Sequence, residues 1–267
     1  MSKTKEQILN WYQEVGGDEL IGHTKQSLIE QSSATSDKIL SNIKTDKKAL
    51  KPLNSGVLNN QNEQSSSRVI ADNCNDIHTL FEQIKNFEGC ELKLTATNTV
   101  VGQGITDSEI LMIGEAPGAQ EDLEGRPFCG DSGKLLNMML ERIGLSRDKN
   151  FFITNTVFWR PPGNRRPTNE ELELCRPFLE KIIALMKPKL IIMVGSVSTF
   201  NLTGLNLNMN QLRSQTIEYT NSYLEQKIKC FTIFHPAFLL RQPSQKKSTW
   251  FDLLKIKQYI LNNHIKL

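Results

Sequence analysis

The side chains best suited to chemistry in this sequence stand at the ends of four short apolar runs. EILMIG (109–114) leads into the glycine-rich turn GEAPG (114–118), which carries Glu115. FFITN (151–155) ends on Asn155, KLIIMVG (189–195) on Gly195-Ser196, and CFTIFHP (230–236) on His235-Pro236. A carboxylate, an amide and an imidazole form a set able to accept, donate and exchange protons. Each run is short, β-branched or aromatic, and without strict alternation, which predicts a strand buried on both faces. In an open parallel sheet, ligands bind beyond the carboxyl ends of the strands. The four run ends are therefore expected to meet along one edge.

Between the runs lie helical patterns. GKLLNMMLERIG (133–144) puts Leu135, Leu136, Met139, Leu140 and Ile143 on one face. Thr168 and Glu171 make a capping-box pattern opening a helix through NEELELCRPFLEKIIALM (169–186), with a kink expected at Pro177. Trp250, Leu253, Leu254 and Leu261 follow at helical spacing near the carboxyl end. Strands alternating with helices predict an α/β fold, a parallel sheet covered on both faces.

In 267 residues, 32 basic and 29 acidic side chains leave a formal charge of +3. That excludes a highly basic coating protein and an acidic disordered chain, while leaving room for a local basic groove. No apolar run approaches the ~18 residues of a membrane span. The opening MSKTKEQILNWYQEVGG has no apolar core of a secretory signal. Five scattered cysteines make no disulfide scaffold, so a cytoplasmic protein is expected. Residues 1–23 are read as a short helical segment bearing Trp11 and Tyr12. Residues 24–76, rich in Ser, Asn, Gln and Lys, are expected to be a disordered linker, and 77–267 the working domain.

Two nucleotide motifs fail. GQG (102–104) precedes its strand and lacks a third glycine at the dinucleotide-binding spacing. GDSGKLL (130–136) resembles the end of a P-loop, but Phe128 stands where that motif needs glycine and Leu135 where it needs Ser or Thr. What survives is a helix start at Ser132-Gly133-Lys134, equally readable as a phosphate contact or a plain loop-to-helix junction.

Three long strings, GEAPGAQEDLEGRPFCGDSGKLL (114–136), FFITNTVFWRPPGNRRPTNEE (151–171) and HPAFLLRQPSQK (235–246), resemble in order and spacing those of the type 4 uracil-DNA glycosylases. The resemblance covers roughly residues 87–260. It implies a three-layer α/β/α sandwich around a four-stranded parallel sheet. It also implies an enzyme that flips uracil out of single- or double-stranded DNA and hydrolyses its N-glycosidic bond, starting base-excision repair. The pocket motifs carry no well-placed lysine nucleophile, so a monofunctional enzyme without a lyase step is expected.

On that resemblance the uracil pocket comprises Gly114, Glu115, Ala116, Phe128, Asn155 and His235, of which Glu115, Asn155 and His235 are the catalytic set. Asn155 reads the base edge, since one amide both donates and accepts, and cytosine presents the opposite pattern. Phe128 stacks on the base. His235 donates to the charge that develops on uracil O2. Glu115 faces the sugar and the attacking water, or mainly holds the loop, because Ala116 stands where other classes of this fold carry a water-activating Asp or Asn. Glu121 and Asp122 are read as structuring the same loop. Leu239 and Leu240 resemble an apolar wedge that fills the gap left by the flipped base. Ser132, Lys134, Arg165, Arg166, Arg241 and Lys246 are expected on the DNA backbone, with Arg160 and Lys247 nearby.

Many type 4 enzymes hold a [4Fe–4S] cluster on four cysteines. Here Cys90 and Cys175 match two of the positions, and Phe87 and Trp159 occupy the other two. Two thiolates do not hold the cube, so no cofactor is expected and apolar packing should replace it. A monomer is expected, with residues 1–76 a possible site for a protein partner and no membrane partner. The competing readings are a relaxed glycosylase that also removes hypoxanthine or mismatched thymine, a catalytically silent DNA-binding homologue, and a phosphate-binding α/β protein without a DNA role.

Overall fold

The computed structural model describes residues 66–267. The segment 1–23 and the linker as far as residue 65 lie outside the described residues. Helical structure is present ahead of the expected boundary at 76: residues 66–73 are helical and Ser67, Ala71 and Cys74 are buried. After them come α1 (Ile77–Asn86), α2 (Leu92–Thr95), β1 (Gln103–Gly104), β2 (Ile110–Gly114), α3 (Ala119–Glu124) and α4 (Asp131–Glu141). Then follow β3 (Phe152–Asn155), α5 (Asn169–Met186), β4 (Leu190–Val194), α6 (Ser196–Thr203) and α7 (Met209–Ser214). The chain closes with β5 (Ile217–Tyr219), β6 (Ile228–Ile233), α8 (Pro236–Arg241) and α9 (Lys246–Asn262). No helix among the described residues is long and apolar enough to cross a membrane.

The sheet runs β1-β3-β2-β4-β6-β5. The four apolar runs are its central strands β3, β2, β4 and β6, all mutually parallel. It has six strands rather than four, because β1 and β5 add antiparallel edges. These edges are two and three residues long, too short to show a period in sequence.

Leu111, Ile113, Ile191 and Met193 share one core with Leu80 and Ile84 of α1 and with Phe178, Leu179, Ile182 and Ile183 of α5. The alternate residues Ile110, Met112, Leu190, Ile192 and Val194 are equally buried on the other face, where α9 packs on β6 and α4. Burial on both faces explains why the runs do not alternate. The α4 face is buried as its spacing predicts, Ile143 included. The Thr168–Glu171 capping box opens α5, which continues through the buried Pro177 as one element. On α9, Trp250 and Leu253 are buried, whereas Leu254 is half-buried and Leu261 is exposed.

Candidate active site

The run ends do meet at the carboxyl edge of the sheet. A cleft of about 820 Å³ opens there, with Glu115, Ala116, Phe128, Asn155, Gly195 and His235 in its lining.

Asn155 closes β3 in register with Gly114 of β2. It is buried, and its Oδ1 has no hydrogen-bond partner among the described residues. Leaving a buried acceptor unpaired costs about 1–3 kcal/mol, which an N–H placed in the cleft would recover. Gly114 makes the arrangement possible. A Cβ there would lie 2.4 Å from Asn155 Oδ1 and 2.5 Å from Phe128 Cζ. Glycine thus lets an amide and an aromatic ring close on the same strand end.

Phe128 is buried and adopts φ 52°, a left-handed backbone rare outside glycine. Glu121 holds the residues after it, its Oε1 accepting from Cys129 N at 2.9 Å and Gly130 N at 3.0 Å. Asp122 is buried, and its Oδ1 accepts from Thr97 N and Asn98 N at 2.8 and 3.1 Å. The acidic pair structures the loop, by bonds to backbone rather than as a solvated pair.

His235 caps α8. Its Nδ1 accepts from Ala237 N at 3.2 Å, which leaves Nε2 to carry the proton in the neutral ring. Burial, with the charge of Arg241 as the second cause, pushes its pKa down to about 4, so the ring is neutral at pH 7. Its centroid stands 5.8 Å from that of Phe128. Gly195 passes beside it at φ 98°, where an added Cβ would come within 3.2 Å of His235 Cβ. Glu115 turns its carbonyl to Thr156 Oγ1 at 2.6 Å, which pins the turn to β3. Burial raises its carboxyl pKa and the charge of Arg166 opposes the rise.

The residues expected on DNA divide. Ser132, Arg165, Arg166 and Arg241 line the cleft. Arg165 is already held by both oxygens of Glu171, at 2.9 and 2.5 Å. Lys134 is exposed and pairs with Asp131 at 3.0 Å. Leu240 is 47% exposed, but Leu239 is fully buried, because it faces the core from the short helix α8. Of the two leucines, Leu240 is the exposed one. Lys246 is also buried at the start of α9, which lowers its pKa and corrects the expectation of a surface phosphate contact. Phe234, Phe238, Ser196 and Met209 line the cleft too. Except for Ser196, their apolar character hides them among core residues.

The Cys90–Cys175 corner does not fit an iron–sulfur cluster. Both thiols are buried beside each other, and burial followed by Cys90 drives the Cys175 pKa upward. Phe87 lies edge-on to Phe178 at 5.1 Å and tilted to Trp159 at 6.3 Å, while Trp159 Nε1 donates to Thr99 Oγ1 at 3.0 Å. Aromatic rings fill the two remaining positions. Among the described residues no three His, Cys, Asp or Glu side chains gather to hold a metal.

The uracil DNA glycosylase superfamily model matches residues 101–255. The chain is similar to the type-4 uracil-DNA glycosylase of Sulfurisphaera tokodaii, 40% identical over 182 residues, which is 66% of this chain and 81% of that one. It is likewise similar to the type-4 uracil-DNA glycosylase of Saccharolobus solfataricus, 36% identical over 195 residues, covering 72% of this chain and 90% of that relative.

Proposed function

The chain belongs to the uracil DNA glycosylase superfamily, and from that membership we propose that its cleft takes uracil flipped from DNA and hydrolyses the N-glycosidic bond. Extruding the base costs a few kcal/mol. Phe128 returns part of that by stacking, worth roughly 1–3 kcal/mol per base. Asn155 Oδ1 accepts from N3–H while the same amide donates to O4. Cytosine, with its donor and acceptor exchanged, would leave both ends of the amide unpaired. As the bond to the sugar breaks, electrons move onto the uracil ring and O2 becomes anionic. The neutral His235 Nε2–H donates there, an interaction stronger in the transition state than in the ground state. Glu115 faces the sugar, where a carboxylate orients water and offsets oxocarbenium charge.

Leu240 fills the gap left in the duplex, and Arg166 and Arg241, with Ser132 and Lys134, meet the phosphates. No lysine is among the described residues that line the cleft, and the reaction is read as hydrolysis alone, by a monofunctional enzyme. We read the enzyme as a cluster-free, cytoplasmic monomer whose residues before 66 act as a tether or meet a protein partner. The observation that carries the proposal is the buried Asn155 carbonyl, unpaired among the described residues, in one cleft with Phe128 and a neutral imidazole. The test is alkali-dependent cleavage of an end-labelled oligonucleotide containing one uracil, opposite G, opposite A or single-stranded. Parallel substrates carry mismatched thymine or hypoxanthine. Cleavage at uracil alone supports the proposal. Cleavage at the other bases replaces it with a relaxed glycosylase, and salt-sensitive binding without cleavage replaces it with a silent homologue.

A further inference from the structure

Arg147 lies in the α4–β3 connection, outside each of the three long strings. Its guanidinium nevertheless reaches the backbone of the pocket loop. Nη1 donates to Pro127 O at 2.9 Å and to Gln103 Oε1 at 2.7 Å. Nη2 donates to Phe128 O at 3.1 Å and to Asn137 Oδ1 at 2.8 Å. One planar fork therefore joins the β1 edge, helix α4 and the two carbonyls around Phe128, a geometry lysine does not reproduce.

A left-handed non-glycine backbone persists only where its surroundings fix it. The carbonyl of Phe128 is fixed on two sides. Arg147 bonds it, and the first turn of α4 backs it so closely that a Cβ on Gly133 would fall 1.9 Å from the oxygen. On the following residues Glu121 grips the N–H groups of Cys129 and Gly130. These contacts set where the ring of Phe128 lies, beside Gly114 in the space a Cβ there would occupy.

We propose that Arg147 is a positioning residue for the reaction, holding the Phe128 ring in the orientation that stacks on the flipped base. This rests on the glycosylase reading of the cleft. The test is a double-mutant cycle on the full chain, measured as single-turnover release of uracil from a single-stranded oligonucleotide. Phe128→Leu should slow release about 5- to 150-fold, the range for losing one base stack. Arg147→Met should fall in the same range with its circular dichroism preserved. The double variant should be no slower than Phe128→Leu alone, within about 2-fold. Losses that multiply, or a folded Arg147→Met at the wild-type rate, overturn the inference while leaving the glycosylase reading intact. Should Arg147→Met fail to fold, Gln103→Leu and Asn137→Leu, which each remove one brace from the fork, run the same cycle and are judged the same way. A wild-type chain inactive on uracil overturns the functional reading and this inference together.

Discussion

The imidazole of His235 is held neutral by its place in the chain. Its Nδ1 is spent on the Ala237 N–H and its ring is buried next to Phe128. Removing a donor aimed at a developing oxyanion typically costs ~10²–10³ in rate, so His235→Ala should lose that much in single-turnover excision. The pH dependence has a definite sign. The folded pKa of about 4 lies below the ordinary 6.5, so as pH falls the unfolded chain takes up the proton first. His235 then leaves stability unchanged above about pH 6.5 and lowers it progressively between there and about pH 4. Excision limited by this group should hold down to about pH 5. A rate that halves near pH 6.5 would show an exposed, ordinary histidine instead. Asn155 makes the complementary prediction. Because its carbonyl is buried without a partner among the described residues, Asn155→Ala should abolish most excision while thermal unfolding shows little loss of stability. A large fall in melting temperature would assign the amide a structural bond.

At the level of elements, the site depends on how closely two strand ends and one loop approach. Gly114 is the test. The missing Cβ is the space into which Asn155 Oδ1 and the Phe128 ring project, so Gly114→Ala should expel one of them. Overpacking of this kind costs about 1–3 kcal/mol, and excision should fall further than stability accounts for, as calorimetry beside a kinetic assay would reveal. Much of this was legible in sequence. Four buried runs announced four parallel strands, and the Thr168–Glu171 spacing announced the start of α5. The common direction of parallel strands then put Glu115, Asn155 and His235 on one edge. What escaped has physical reasons. β1 and β5 are shorter than any period, and Leu239 and Lys246 look exposed only until α8 and α9 turn them inward. Arg147 acts across separations of 10 to 44 residues, where no local pattern signals a bond.

Over the whole molecule, the point at which the working domain begins decides what a truncation would report. Composition alone places that point at residue 76, and the packing moves it upstream. Ala71 and Cys74 belong to the same core as Leu80, Ile84 and Phe178. Arg68 bonds Glu180 of α5 at 2.6 Å and Tyr223 Oη at 3.1 Å, and Tyr223 Oη also donates to Asp72. Lys181 reaches the carbonyl of Asp72 at 3.4 Å. Removing residues 1–65 spares all of these contacts. Removing 1–75 uncovers apolar side chains of α1 and α5 and leaves Glu180 without its guanidinium. Core truncations of comparable apolar content cost about 2–5 kcal/mol. The shorter deletion should therefore keep the wild-type melting temperature and excision rate, and the longer one should lose several degrees or fail to fold. Comparing the two by thermal melting and by the oligonucleotide assay separates a tether from an integral part. Equal behaviour of the two would show that the 66–74 segment contributes nothing to the domain, and loss of activity in the shorter deletion would show that residues before 66 take part in catalysis or DNA binding.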